Sequence, residues 1–265
     1  VLAVPYAIET DGIIYNKDIL NKYFAMDGAK ATSIDDIDSF AKLKAVADDM
    51  QARKDELGIK GAFTSAGMDP SSSWRFTDNL TAVPLYYEFE EDGITAPPAE
   101  IKGTYLSNYK QLFDLYLIDS TVPRSEVSSK TGDDANSEFS LGEAAFYQNG
   151  NWAWTDLQNA GMTADQVGMI PEYMGIPGEE TQGQSIGTGN YWCINKKASK
   201  ADQKATADFL AWLVTSDEAK DALSNDFGFT MPYKAYADVT PSNPLTTTVA
   251  GQRKRARSRR TGMAL

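Results

Sequence analysis

Apolar residues recur every three or four positions through Ile34, Ile37, Phe40, Leu43, Val46 and Met50. The run opens on the capping pattern Ser33-Ile34-Asp35-Asp36 and stops at Gly58, so it predicts a helix beginning just after Ser33. Tyr105, Tyr109, Leu112, Phe113, Tyr116 and Leu117 predict a second amphipathic helix. Two more are expected over residues 201–214 and 217–223, the latter capped by Ser216. Residues 137–148, with Phe139, Leu141, Ala144, Ala145 and Phe146 near one side, read as a further helix. Short β-prone runs at 1–8, 12–15, 61–65, 166–170 and 191–195 read as strands, and 68–74 (MDPSSSW) as a loop or helix start. A glycine-rich stretch over 175–190 reads as flexible. Strands alternating with helices predict an α/β fold, and no internal repeat is visible.

Composition narrows the chemistry. The 265 residues contain no histidine, which removes Ser-His and Cys-His catalysis and imidazole metal sites. Cys193 is the single cysteine, so neither an internal disulfide nor a thiolate cluster can form. No GxSxG, P-loop or HExxH motif is present, and GTGN at 187–190 does not open a helix as a dinucleotide fingerprint would. No cofactor, metal or catalytic residue is therefore expected. The acidic runs Asp48–Asp49, Glu90–Glu91–Asp92 and Asp133–Asp134 are read as solvated faces or loops, and TGDDANSE lacks a full calcium-loop pattern and is read as loop.

Charge is unevenly spread. Six of the 25 Lys and Arg residues lie in 251–265, which holds no acid, leaving 19 bases against 37 acids in the rest. A body that acidic repels phosphate backbones, so nucleic acid is not an expected partner. The basic tail is read as solvated, non-native or frameshifted sequence. No apolar run approaches the roughly 18–20 residues of a membrane span. The chain opens on Val1 inside a strand-like run and is expected to be an internal fragment.

Aromatic and short polar residues carry the most specific signal. In AFYQNGNWAW, Trp152 and Trp154 follow a Gly-Asn turn. Trp154 is expected in the core, and Trp152, at a loop mouth, as a stacking platform for the C–H face of a sugar. Glu9, ending the first strand, and Asp69, in MDPSSSW, are candidate acceptors for sugar hydroxyls.

These residues carry a resemblance. VPYAIETDGIIYNKDIL (4–20), SEFSLGEAAFYQNGNWAW (137–154) and the segment from IGTGNYWCINKK to DEAKDAL (186–223) resemble, in order, three motifs of the extracellular solute-binding proteins of bacterial ABC transporters, of the sugar-binding, maltodextrin-binding-protein-like type. The resemblance implies a type II periplasmic-binding-protein fold: two α/β lobes joined by crossing strands, with a sugar in the cleft. It implies a crossing strand at 1–9, the second lobe at 10–183, a returning segment of the first lobe at 184–237, the start of a return to the second lobe at 238–250, and the basic tail at 251–265. Most of the first lobe and the C-terminal end are expected to be missing.

By the same resemblance, the ligand contacts are Glu9 on the crossing strand, Asp69, Ser71 and Trp74 on an acidic-aromatic loop, Trp152 as the stacking ring, and Gly189, Asn190 and Tyr191 at the second crossing. Serines at 71–73 stand where maltodextrin binders carry aromatics, which counts against maltodextrin itself. The implied function is non-enzymatic binding of a sugar or oligosaccharide and delivery to ABC permease subunits. The alternatives are another small solute on the same fold, a carbohydrate-active enzyme with paired carboxylates, or an adhesive surface protein that binds no solute. The implied protein is a monomer outside the cytoplasm, in the periplasm or held to the membrane only by a lipid anchor on the missing N-terminus.

Overall fold

The computed structural model describes residues 3–65 and 67–246; the basic tail expected at 251–265 lies outside the described residues. The chain folds into two compact units, one formed by residues 11–185 and the other by residues 3–10 with 186–246. Its strands are β1 (Val4–Pro5), β2 (Glu9–Asn16), β3 (Gly61–Phe63), β4 (Ala144–Gly150), β5 (Val167–Ile170), β6 (Ser185–Gly187) and β7 (Tyr191–Trp192).

In the larger unit the strands lie side by side in the order β3-β4-β2-β5. β4 runs parallel to β3 and antiparallel to β2, and β2 is antiparallel to β5. Every residue of β4 is buried, and Ile13 and Ile14 of β2, which point to opposite faces, are both fully buried. The sheet is thus covered on both sides. Helices Lys17–Phe24, Phe40–Ala52, Leu80–Asp92, Leu106–Ile118 and Gly132–Ser140 belong to this unit, and its core joins Leu43, Val46 and Met50 to Phe63, Phe76, Leu112, Tyr116 and Phe146. Asn16 ends β2 and caps the next helix, its side-chain oxygen accepting from the Asp18 and Ile19 amides.

Three expectations are corrected here. The helix expected to begin after Ser33 is only a short 3-10 turn, Ile34–Asp36; the long helix starts at Phe40. Asp36 folds back to accept from the Thr32 and Ser33 amides, Ile37 leaves the helical region at ψ 77°, and the Glu179 carboxylate accepts from the Phe40 amide at 2.7 Å. A cap supplied from 139 residues away sets the true start. The helix expected over 137–148 is instead the end of helix Gly132–Ser140 followed by β4. Gly142, at φ 73°, breaks the chain between them, and a strand buried on both faces shows no two-residue period to betray it. TGDDANSE is not a loop: Thr131 caps this helix and Asp134 reaches back to the Thr131 amide, a reciprocal capping box.

The smaller unit is built on helix Lys200–Thr215, capped by Ser199, and helix Asp217–Asp221, capped by Ser216. Leu210, Leu213, Leu223, Met231 and Tyr236 form its core, with Val4, Trp192 and Phe229 packed against them. The strands expected over 1–8 and 191–195 are shorter than their β-prone runs. Val4 pairs with Trp192 and Pro5 with Tyr191, and an isolated bridge joins Ile8 to Thr230.

Candidate functional site

In the larger unit the loop preceding helix Leu80–Asp92 is built around Asp69. Its carboxylate accepts from the Ser71 amide at 3.0 Å and from the hydroxyls of Ser71 and Ser72, while its carbonyl accepts from the Ser72 and Ser73 amides. The two hydroxyls, Ser71 first, hold the Asp69 carboxyl below its usual range, so it is anionic at neutral pH. Its side chain organises the turn that carries Ser71 and Trp74. Trp74, 39% exposed, is fixed by an Nε1 donation to the Ser71 carbonyl at 2.9 Å.

Trp152 closes the end of β4 from the other side, at the start of helix Ala153–Asn159. Its ring centroid lies 5.6 Å from that of Trp74, the planes inclined by 49°. The two rings form an open aromatic angle, and Trp154, in the helix that follows, is buried at 5% exposure. Gly150 makes this possible, because any Cβ there would run into the Trp152 ring.

Arg75 locks the loop to the sheet. Only 2% exposed, it donates from Nη1 to the Gln148 carbonyl of β4 at 2.8 Å and from Nε to the Ser72 carbonyl at 3.3 Å. Its guanidinium carbon lies 5.3 Å from the Phe76 ring centroid and 5.6 Å from that of Tyr147. Burial lowers its pKa, but a guanidinium remains charged. Sequence reasoning missed Arg75 because its hydrogen bonds to Gln148 and Ser72 go to backbone carbonyls, which leave no side-chain motif. It also passed over Asp11, two residues beyond Glu9, and Asn79, whose amide donates to the Asp11 carboxylate.

Behind these lies Glu172, 1% exposed, with Oε1 accepting from Gln148 Nε2 at 3.0 Å. Burial, reinforced by the charge of Asp11, pushes its carboxyl up to about 8. Glu172 is therefore mostly protonated at neutral pH.

The smaller unit gathers the other candidates. Asn190 Nδ2 donates to Glu9 Oε1 at 3.3 Å, and the Asn190 carbonyl accepts from the Tyr6 amide at 2.9 Å. A Cβ at Gly189 would stand 2.9 Å from Glu9 Oε2, so Gly189 leaves room for that carboxylate. Tyr191, 47% exposed, shares a 2.8 Å hydrogen bond between its hydroxyl and that of Thr188. Thus Asp69, Ser71, Trp74 and Trp152 come together in one unit, and Glu9, Gly189, Asn190 and Tyr191 in the other.

Among the described residues no group of three or more Cys, Asp or Glu side chains could hold a metal ion, and no helix is long and apolar enough to cross a membrane. A model of the family described as bacterial extracellular solute-binding protein matches residues 1–249. The chain belongs to that family. Its members bind solutes rather than transform them, and the family places this solute-binding protein outside the cytoplasm.

Solved structures agree on the fold. A chitin oligosaccharide binding protein superposes with a TM-score of 0.66 at 19% identity, over 96% of this chain and 60% of that one. The maltose-bound MalE3 of T. maritima gives 0.63 at 20% identity, over 96% and 60%. The solute-binding protein RafE in complex with raffinose gives 0.63 at 17%, over 93% and 61%. These likenesses establish the two-lobe periplasmic-binding-protein fold for this solute-binding protein, which spans about 60% of the length of the first of them. No curated protein sequence matches the chain.

Proposed function

We propose that this chain is the ligand-binding part of a non-enzymatic receptor for a neutral sugar or oligosaccharide. The observation that carries the reading is the open angle between Trp74 and Trp152, set beside the anionic Asp69 loop. Sugars present flat C–H faces to aromatic rings and hydroxyl donors to fixed acceptors. Anionic solutes would meet repulsion from Asp69 and Asp11. Several similar structures are described as sugar binders, which supports the same class of ligand.

On this reading Glu9, Asn190 and Tyr191 add hydroxyl contacts, residues 10–183 form the second lobe, and 184–237 belong to the first. The intact receptor acts as a monomer in the periplasm or as a lipid-anchored surface protein, and hands its sugar to the permease subunits of an ABC importer. The test is tryptophan fluorescence of the chain titrated with chitotriose, maltotriose, mannotriose and raffinose into the millimolar range, with the incubated sugars then chromatographed. A saturable change with the sugar recovered intact is expected. Release of shorter products would replace the receptor reading with an enzymatic one, and no response to any of the four would overturn the sugar reading.

A further inference from the structure

The face of the sheet that carries Trp152 also carries a polar pair. Asp11 of β2 lies directly opposite Gly150 of β4. Side chains of such a cross-strand pair rise from the same face, with Cβ atoms about 5 Å apart. The position of the Gly150 side chain is filled by the six-membered ring of Trp152. Asp11 is therefore the β2 side chain that stands directly beside that ring.

Asn79 completes the pair. The helical turn Arg75–Asn79 starts immediately after Trp74, so one short segment delivers an aromatic at its beginning and an amide at its end. Asn79 Nδ2 donates to Asp11 Oδ1, which fixes the orientation of both planar groups. Together they offer several acceptor lone pairs from the carboxylate and the amide oxygen, and an amide donor, along one edge of the aromatic angle. Adjacent hydroxyls of a pyranose present the matching sequence, each able to donate and to accept.

We propose that Asp11 and Asn79 form the hydroxyl-reading edge of the site, taking a vicinal pair of hydroxyls on the sugar ring that stacks on Trp152, and thereby selecting for neutral sugars with that pair intact. This rests on the sugar-receptor reading above and deepens it. Electrostatics agree: burial first, and then the charge of Asp11, keep the neighbouring Glu172 carboxyl protonated. A uronic or phosphorylated sugar would bring a second anion to that edge.

The experiment uses Asp11→Asn, Asn79→Ala and Trp152→Ala in the whole chain. Each is titrated with the sugar from the panel that the parent binds and with monodeoxy analogues of that sugar. Asp11→Asn should weaken binding about 10- to 100-fold, the range for a hydrogen bond to a charged group. One deoxy analogue should lose a similar factor on the parent and little more on Asp11→Asn. Asn79→Ala should lose less and relax discrimination between the deoxy analogues. Thermal melts of all variants accompany the titrations. If Asp11→Asn melts early, the deoxy series on the parent and on Asn79→Ala decides alone. Should Asp11→Asn and Asn79→Ala bind within twofold of the parent while Trp152→Ala loses binding, the hydroxyl-reading edge is refuted and the receptor reading survives. If the parent binds no sugar of the panel, the receptor reading fails and this assignment with it.

Discussion

The six-membered ring of Trp152 occupies the side-chain space of Gly150: a Cβ on Gly150 would come within 2.1–2.5 Å of three ring carbons. Gly150 lies in β4 and is not in a left-handed conformation, so the glycine is needed for room and not for its backbone angles.

Gly150→Ala should therefore push the Trp152 ring off the strand and open the angle with Trp74. Near-ultraviolet circular dichroism, sensitive to two indoles at this separation, should lose intensity, and sugar affinity should fall nearly as far as in Trp152→Ala. An unchanged spectrum with unchanged affinity would show that the ring does not depend on Gly150.

Trp152 and Trp154 should behave differently. Trp152→Ala removes a half-buried ring from the aromatic angle and should weaken sugar binding by about 2 kcal/mol, some thirtyfold, with little effect on melting. Trp154→Ala leaves a cavity and should cost about 3–5 kcal/mol of stability while sparing affinity in the folded fraction. Paired titrations and melts measure both, and equal losses on both axes would reject the division of roles.

Arg75→Met keeps the buried aliphatic stem but strips donors from the Gln148 and Ser72 carbonyls. The Ser72 carbonyl keeps the amide of residue 75 as a donor, whereas the loss of the guanidinium donor to the Gln148 carbonyl costs about 1–3 kcal/mol, partly offset because a buried charge is removed as well. A net destabilisation of about 2 kcal/mol is expected, together with faster fluorescence depolarisation of Trp74 as the loop loosens. Wild-type melting with a loosened Trp74 would confine Arg75 to positioning, and wild-type values of both would refute the lock.

Glu172 makes stability fall as pH rises from about 4.5 to about 8. Its carboxyl titrates near 8 when folded and near the ordinary 4.5 when unfolded, so the folded chain holds the extra proton between those values. Stability thus declines with rising pH across that window, by up to about 1.4 kcal/mol per unit, and levels off above it. Glu172→Gln should flatten the profile of melting temperature between about pH 5 and 8 and raise it at the alkaline end. A profile with the same slope in both proteins would assign the pH dependence elsewhere.

Legibility in the sequence followed the range of the interactions. The helices at 200–215 and 217–221 were readable because Ser199 and Ser216 cap them from the adjacent position and their apolar residues face a single small core. The start of the helix at Phe40 was not, because its capping carboxylate, Glu179, is remote in the chain. β4 passed for helix because both its faces are buried. The loop around Asp69 and Trp74 and the ring of Trp152 could be named from local motifs. Their meeting depends on Arg75 reaching a carbonyl of β4, and on a cross-strand register that places Asp11 opposite Gly150, neither of which leaves a local pattern.

The order of strands also sets a schedule for making the protein. β2 lies between β4 and β5, yet it is translated before either. At ~5–20 residues per second, on the order of ten seconds pass between synthesis of its Ile13 and Ile14 and the arrival of β4, with which they pair. Through that interval the segment carrying these two isoleucines has open hydrogen-bonding edges on both sides. The nascent chain is then at its most vulnerable to pairing with another copy of itself, and a holding chaperone that shields this segment would raise the yield of folded protein more than one that acts on the finished chain.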